Sequence, residues 1–493
     1  MGTYSVPVEI RNLKPKGTMV KRLNGDKYYV YEYSTSKVKV ISDGGKQRWK
    51  TVTKMGACIG TITVKDGYVP NSSHISSDEI TSLNYGDYAF VVENSQNTFE
   101  LLRKKFSRKD SEQIFTIAVI FFVAGFTYMK NVKSLFSMSY LSMRYPDVNV
   151  GYKALHSLYT DIGTKEKRIR DFENMMVQSS SRRIAIDGHV IACTSEQNDL
   201  SEYGYKAKKL GTEQINWLTA YDVVTKKPLL SRLYNGADPD KTSVQDMLER
   251  YSFANTEFLV DRGFNTDADK KLMSRAGNTY IVPMISGRKD YSKVVDGLSF
   301  DKRRYFVYNK NSYASMVYYE EFTEESSRYI AYQDTTRAGA ERQDYIKKME
   351  SGMSDYSEDG LAESERFFGL FLLETNNMDS SCEEIFCKYK DRWSIETYYN
   401  YVRNDADFNA LYQQDYFCMQ GLSFIVTVSG MVYHDIREVA NDAKLPMKDI
   451  MREIGKIKIS KEGDKWVLKN KIKKVREVCE KVGFELPKYL EFK

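Results

Sequence analysis

The stretch Arg183-Ile-Ala-Ile-Asp-Gly-His-Val-Ile-Ala192 decides the fold, because it reads as a buried strand with a carboxylate in its middle. A charged Asp187 among apolar neighbours is costly unless it is paired or binds a metal ion. Asp187 is therefore a candidate functional residue. His189 lies two residues further on and shares its face of the strand, where it either contacts the same site or simply packs.

The sequence after this strand alternates between strands and helices. Two more strands are predicted first, at 216–223 and 228–234. They are followed by a helix at 242–251, a strand at 258–260, a helix at 268–276 and a strand at 279–282. Neighbouring strands followed by this alternation are typical of an α/β sheet of the RNase H kind. Residues 285–365 are aromatic and then acidic, and we interpret them as an inserted, mainly β subdomain with a polar helical stretch near 340–362.

A second carboxylate ends the strand predicted at 258–260. In Asp261-Arg-Gly-Phe-Asn-Thr266 the glycine lets the chain turn away and leaves Asp261 at the edge of the sheet. Open α/β sheets place their sites at such strand ends. Taken alone, Asp261 is more simply explained as a capping residue in a turn.

A third set of polar side chains lies on a helix predicted from Ser380 to about Arg403, after a strand at 367–373. Tyr389, Arg392 and Arg403 stand at −7, −4 and +7 residues from Glu396. At about 100° per residue, all three fall within roughly 40° of Glu396 around the helix. An acid, two guanidinium groups and a phenol therefore share one stripe. A surface ion pair between Arg392 and Glu396 is the simpler alternative.

The segment Tyr389-Lys-Asp-Arg-Trp-Ser-Ile-Glu-Thr-Tyr-Tyr-Asn-Tyr-Val-Arg403 resembles the Y-x2-R-x3-E-x6-K signature of bacterial insertion-sequence transposases of the DDE superfamily, with Arg403 replacing the final Lys. The segments around Asp187 and Asp261 resemble the first and second Asp segments of this family. The resemblance covers about residues 182–435. It implies an α/β, RNase H-like (retroviral-integrase-like) catalytic domain with a β-rich insertion. It also implies cut-and-paste transposition, with DNA hairpins at the element ends as an intermediate.

The resemblance further implies that Asp187, Asp261 and Glu396 are the catalytic residues and hold two Mg²⁺ ions, for which Mn²⁺ can substitute. Carboxylate oxygens suit this hard ion better than His or Cys would. Contacts to DNA are expected from Tyr389, Arg392, Arg403, Arg288, Arg303 and Arg304. The expected partners are inverted terminal repeats and target DNA, bound by a homodimer on paired ends.

Charge is unevenly distributed along the 493 residues, whose net charge is +6. Residues 1–60 carry a net +8 and residues 451–493 a net +6, so the middle is acidic. Basic ends favour a polyanionic partner, although solvated surface lysines give the same pattern. Residues 1–75 are expected to form a basic β-rich DNA-binding region, and residues 76–180 a helical region. Residues 181–435 are expected to form the catalytic domain, with its insertion at about 285–365. Residues 436–493 are expected to form a basic region for dimerisation or DNA contacts.

The longest apolar run, 114–126, is shorter than the ~20 residues that span a bilayer, so it is predicted to be a buried helix. With six scattered cysteines and no apolar signal segment, a bacterial cytoplasmic protein is expected.

Three other functions stay open. A decayed transposase would only bind DNA, and an RNase H-fold nuclease would cut without strand transfer. A hydrolase of another substrate class would use Asp187 and Asp261 as an acid/base pair. The presence of all three acids argues against a decayed transposase. The sequence indicates no small-molecule pocket for a hydrolase of another substrate class.

Overall fold

The fold was analysed on a computed structural model. It describes residues 6–24, 27–41, 47–70, 82–193, 195, 197–204, 211–286, 289–310, 313–324, 326–405, 408, 411, 413–463 and 465–490. The chain divides into two compact units. One consists of Met1–Glu93, Thr127–Leu155 and Ala440–Lys493, and the other of Asn94–Phe126 and His156–Val439.

Residues 6–70 form a short helix and an antiparallel sheet in the order β1-β2-β3-β4. The elements are α1 (Val8–Asn12), β1 (Thr18–Asn24), β2 (Lys27–Ile41), β3 (Gln47–Thr63) and β4 (Gly67–Pro70). The predicted β-rich character of this region is confirmed, and its long strands continue through stretches whose composition favours a break. β2 runs through Ser34-Thr-Ser36 and β3 runs past Gly56, because the two strands pair with each other along their length. A Cβ at Gly56 would lie 3.1 Å from Glu32 Cβ, so a larger residue here would require the two strands to move apart slightly.

Residues 82–178 are mainly helical, as predicted. The elements are β5 (Ser82–Asn84), α2 (Gly86–Asn94), α3 (Gln96–Arg103), α4 (Arg108–Ala124), α5 (Met129–Ser137), α6 (Leu141–Arg144), α7 (Tyr152–Thr164) and α8 (Glu166–Gln178). The apolar run is buried almost all round within α4, which confirms it as a core helix. The first residues of the predicted helical region, 76–81, lie outside the described residues.

A mixed sheet in the order β11-β12-β13-β14-β10-β9-β6-β7-β8 is the framework of the second unit. Its first elements are β6 (Arg183–Cys193), β7 (Glu213–Asp222), β8 (Lys227–Asn235), α9 (Asp240–Arg250), β9 (Glu257–Val260), α10 (Asp267–Met273) and β10 (Thr279–Pro283). Neighbours among β6, β7 and β8 are antiparallel, whereas β9 is parallel to β6 and to β10. The predicted alternation of strands and helices is confirmed.

Residues 285–365 extend this same sheet. They contain α11 (Lys289–Asp296), β11 (Tyr305–Lys310), β12 (Tyr313–Glu324), β13 (Ser327–Asp334), α12 (Thr335–Glu350) and α13 (Glu358–Ser364). The strand predicted at 367–373 is β14 (Leu370–Thr375), which pairs with β13 on one side and β10 on the other. The helical stretch predicted near 340–362 is present, but residues 285–365 contain at least as much helix as strand, so the expectation of a mainly β insertion is not met. The domain boundaries stay predictions.

The helix predicted from Ser380 to Arg403 is interrupted. It consists of α14 (Cys382–Asp391), α15 (Ser394–Asn400) and a π-helical turn at Tyr401–Asp405. After these come α16 (Tyr416–Asp442), α17 (Met447–Ile454), β15 (Lys458–Glu462), β16 (Lys465–Lys469), α18 (Lys473–Lys481) and β17 (Tyr489–Leu490). In the first unit, β17, β16, β15 and β5 form a second sheet in that order.

The apolar segment predicted to end near Tyr433 is part of α16, which is 27 residues long. By length and composition α16 could cross a membrane, as could α4 and α5 if they are taken as one bent span. However, 89% of the most apolar window of α16 is buried inside the protein, as is usual for a core helix.

α15 and α16 pack on the face of the sheet formed by β6 and β7. The indole N–H of Trp217 in β7 donates to Ser423 Oγ in α16 at 2.9 Å. The rings of Tyr221 in β7 and Tyr398 in α15 stack with their centroids 5.7 Å apart. A Cβ at Gly430 would lie 2.6 Å from the Tyr398 ring, so this glycine lets α16 approach α15 closely. These contacts fix α15 against β7, the strand that pairs with the one carrying Asp187.

Glu173 of α8 is buried and gives a prediction about stability. Burial raises its pKa to about 8, although a hydrogen bond from the Tyr251 hydroxyl (2.6 Å) and the charges of Arg232 and Arg250 oppose the shift. In the unfolded chain its pKa is about 4.3. The folded protein therefore keeps a proton that the unfolded chain releases as the pH rises between these values, and stability falls across that window.

We expect Glu173→Gln, which is neutral at every pH, to change Tm little at pH 5 and to raise it by about 2–6 °C at pH 8.5. Thermal unfolding of both proteins followed by circular dichroism checks this. An equal effect of the substitution at the two pH values would contradict it.

Candidate active site

Asp187 and Asp261 occupy matching positions on neighbouring parallel strands. β6 and β9 pair in register up to Ile186↔Val260, so the next residues of the two strands are Asp187 and Asp261. Adjacent strands lie about 4.8 Å apart, and residues at equivalent positions point to the same face. The Arg262 backbone N–H donates to Asp261 Oδ1 at 2.8 Å, which starts a 3₁₀ turn directly after the strand. The strand-end geometry predicted for Asp261 is confirmed.

Glu396 comes to the same face on α15. A tight turn joins α14 to α15 through i→i−3 hydrogen bonds, such as that from the Glu396 N–H to the Trp393 carbonyl at 3.1 Å. Trp393 stands at this turn and is 66% exposed. The buried Tyr399, three residues after Glu396, donates its hydroxyl to the Asp187 carbonyl at 2.6 Å. This bond ties α15 directly to the strand of Asp187.

The carboxylate of Asp187 is influenced by both of the other acids. Burial raises the pKa of Asp187 to about 6, Arg392 opposes that shift, and the negative charges of Glu396 and Asp261 add to it. Carboxylates from two strands and one helix therefore act on one another.

Arg392 is the cation of this cluster. Its Nη1 lies 3.6 Å from Asp187 Oδ2, and its guanidinium lies over the Tyr389 ring, 5.7 Å from the centroid. Nη1 is buried and makes no hydrogen bond to any described residue. Burial raises the pKa of the Tyr389 phenol to about 12, against the effect of Arg392. Nη1 of Arg392 is thus a buried donor beside the carboxylates that can bind an anionic oxygen.

Arg403 reaches the site from the π-helical turn. One of its guanidinium nitrogens lies 3.5 Å from His189 Nδ1, and the His189 ring lies 5.3 Å from the ring of Tyr399. The prediction of one uninterrupted helical stripe was wrong in detail, because a π turn changes the rotation per residue. Arg403 nevertheless lies beside the strand of Asp187. His189 packs between Tyr399 and Arg403.

The other predicted DNA contacts are not brought to this cluster. Arg303 is exposed and pairs with Asp301 at 2.9 Å, whereas Arg304 pairs with Glu321 at 3.6 Å. Arg288 lies outside the described residues. A role in DNA binding for these three arginines stays a prediction.

Two features of the site escaped the sequence analysis. Neither Trp393 nor Tyr399 was assigned a role. The i+3 spacing of Tyr399 from Glu396 predicts only that they share a helix face. The partner of Tyr399 is a backbone carbonyl more than 200 residues away in the chain.

The donor chemistry fits a hard divalent cation, because three carboxylates with no sulfur or imidazole among them converge here. Among the described residues, no group of three or more His, Cys, Asp or Glu side chains has the geometry of a metal-binding site. In the arrangement observed, Arg392 supplies positive charge beside Asp187.

Residues 178–412 match the family model of the transposase DDE domain. This chain carries a DDE transposase domain. The matched segment contains Asp187, Asp261 and Glu396, and its domain is that of an enzyme, a DNA transposase. DDE transposases act on DNA and use divalent metal ions.

No curated protein sequence matches this transposase. Among solved structures, a piggyBac transposase synaptic complex with hairpin DNA matches with a TM-score of 0.36 and 12% sequence identity, over 75% of this chain and 70% of that chain. Similarity this low transfers no property to the present transposase.

Proposed function

We propose that the transposase cuts DNA at both ends of its own insertion sequence and joins the freed ends to target DNA. The observation that carries this proposal is the convergence of Asp187, Asp261 and Glu396 from two in-register strands and one helix. The family match over the same segment supports it. The strand order β8-β7-β6-β9-β10, with antiparallel and then parallel neighbours, supports an RNase H-like core.

Asp187, Asp261 and Glu396 would hold two Mg²⁺ ions, and Mn²⁺ would substitute for them. Bound there, the ions would supply an activated water and stabilise charge on the leaving oxygen. Asp187 is the best candidate for a shared ligand, because its carboxylate interacts with both of the others.

Arg392 would hold a phosphate oxygen of the scissile strand. Its buried Nη1 has no hydrogen-bond partner among the described residues, and a guanidinium can form two parallel bonds to a phosphate. Tyr389 supports the guanidinium through its ring. Arg403 would contact a neighbouring phosphate from the far side of His189. These residues would bind and orient the DNA.

The charge distribution and the family resemblance support roles for the terminal regions. The basic N-terminal region would read inverted terminal repeats, assisted by Arg288, Arg303 and Arg304. The basic C-terminal region would support a homodimer on paired ends. The released ends would pass through hairpins, and the enzyme would act in the bacterial cytosol. Free thiols at all six cysteines are consistent with that compartment.

Trp393 gives a prediction for DNA handling. A large exposed ring beside the acids is a surface on which a base can stack, and such stacking contributes about 1–3 kcal/mol. We expect Trp393→Ala to slow cleavage about tenfold and Trp393→Phe to retain most of the rate, measured by single-turnover cleavage of element-end DNA. Tyr203→Ala is the matched control, because Tyr203 is 73% exposed elsewhere. Equal rates for Trp393→Ala and Tyr203→Ala would contradict the stacking role.

The function is tested with purified protein, duplex DNA that carries the element ends, and a supercoiled target plasmid in Mg²⁺. Cleaved ends joined to the plasmid are the expected products. Cleavage without joining would indicate a nuclease on the same fold. Binding without cleavage, in Mn²⁺ as well, would indicate a decayed enzyme that only binds DNA.

A further inference from the structure

Glu257 accepts polar contacts from three separate segments of the catalytic unit. Its Oε2 lies 3.2 Å from Arg183 Nε, and its Oε1 lies 3.0 Å from Lys388 Nζ. Asn377 Nδ2 donates to the same Oε1 at 2.8 Å. The side chains of Glu257 and Lys388 are only 11% and 17% exposed. A single buried carboxylate therefore joins β6, β9, α14 and the loop before α14.

Each ionic partner in this cluster stands four residues before a residue of the active site. Arg183 precedes Asp187 on β6, Glu257 precedes Asp261 on β9, and Lys388 precedes Arg392 on α14. Along a strand, residues four apart point to the same face, and along a helix they lie one above the other. The cluster and the active site are thus two consecutive sets of contacts between the same helix and the same strands.

We propose that Glu257 is a positioning residue that holds α14 in register against β6 and β9, so that Arg392 and Glu396 meet Asp187. This rests on the proposed function, because it assumes that the three acids form the catalytic site. Glu257 itself touches neither DNA nor metal. It acts through Lys388, which lies about one helical turn before Arg392.

Loss of the carboxylate charge removes the partner that Arg183 and Lys388 share. Among the described residues, it leaves only the exposed carboxylate of Glu384, which is not in direct contact with them, as a nearby counter-charge. Lys388 keeps a hydrogen bond to Ser380 Oγ at 2.8 Å, which lies in the same chain segment and does not hold the helix to the sheet. Burying an uncompensated charge is unfavourable, so α14 moves to let Lys388 reach water. A displacement of about 1 Å at catalytic groups can cost about 10²-fold in rate.

The test compares Glu257→Gln and Lys388→Gln with the unaltered protein. We expect each substitution to slow single-turnover cleavage of element-end DNA by about 10–100-fold, with the Kd for DNA changed less than about twofold. We also expect the Kd for Mn²⁺, titrated by electron paramagnetic resonance without DNA, to rise about tenfold or more. The double variant should be no slower than the worse single variant, because both remove one interaction. Lys388→Arg should restore most of the rate.

Asp344→Asn is the matched control, because it removes an exposed ion pair with Lys348 on α12 of the same unit. Circular dichroism and Tm identify any variant that fails to fold, and the milder Lys388→Gln then carries the test. Folded variants with unaltered Mn²⁺ affinity and cleavage rate would overturn the positioning role.

Asp187→Asn measured alongside separates the two proposals. If it retains full cleavage, the proposed catalytic site fails. If it is inactive while Glu257→Gln and Lys388→Gln behave as the control does, only the role of Glu257 fails.

Discussion

Asp187→Asn is expected to lower the rate of DNA cleavage at least about 10³-fold while DNA binding persists. Asn keeps the shape of the side chain but removes the charge that is coupled to Asp261 and Glu396. Catalytic metal ions contribute several kcal/mol of charge stabilisation in phosphodiester cleavage, and each 1.36 kcal/mol corresponds to a factor of about ten. Asp261→Asn should have an effect of similar size, because it occupies the equivalent position on the neighbouring strand.

The measurement is single-turnover cleavage of labelled element-end DNA in Mg²⁺, with a gel-shift titration on the same DNA. Asp344→Asn serves again as the control, because its carboxylate is exposed and paired on α12. Cleavage by Asp187→Asn at the control rate would show that the carboxylate on β6 has no part in the chemistry.

Arg392→Gln is expected to have the second largest effect, a loss of about 10²-fold in cleavage rate. A hydrogen bond to a charged group contributes about 1.5–3 kcal/mol, and the buried Nη1 beside Asp187 is placed to make one with phosphate. Arg392→Lys should recover only part of the rate, because an ammonium group cannot form the two parallel bonds of a guanidinium.

The same single-turnover assay checks Arg392, with Arg366→Gln as the control, since Arg366 is an exposed arginine of the same unit. The order expected is unaltered protein, then Lys, then Gln. Full activity of the Gln variant would show that Arg392 has no part in holding the scissile strand.

The central strands were predictable because their signals are local. The apolar run around Asp187 and the Gly two residues after Asp261 each depend on a few neighbouring residues. The spacing within 389–403 predicted that Arg392 and Glu396 share one helix face, and the resemblance implied that this face meets Asp187. The resemblance to DDE transposases added the identity of the enzyme, which no periodicity alone supplies.

What the sequence could not predict depends on contacts distant in the chain. β2 continues through Ser34-Thr-Ser36 because β3 pairs with it, although those residues look like a linker. The strands of the insertion join the main sheet because β14 pairs with both β13 and β10. The break after Asp391 has no glycine or proline to mark it. The Glu257–Lys388 pair spans 131 residues, so no local pattern contains it.

The most direct measurement uses the genomic DNA that flanks this reading frame. A labelled duplex containing its short inverted repeats is incubated with the purified protein or with Glu396→Gln in Mg²⁺. We expect the unaltered protein to nick the duplex at the repeat boundary, and Glu396→Gln to bind the same duplex without nicking it. Equal nicking by both proteins would contradict the assignment of Asp187, Asp261 and Glu396 as the catalytic site.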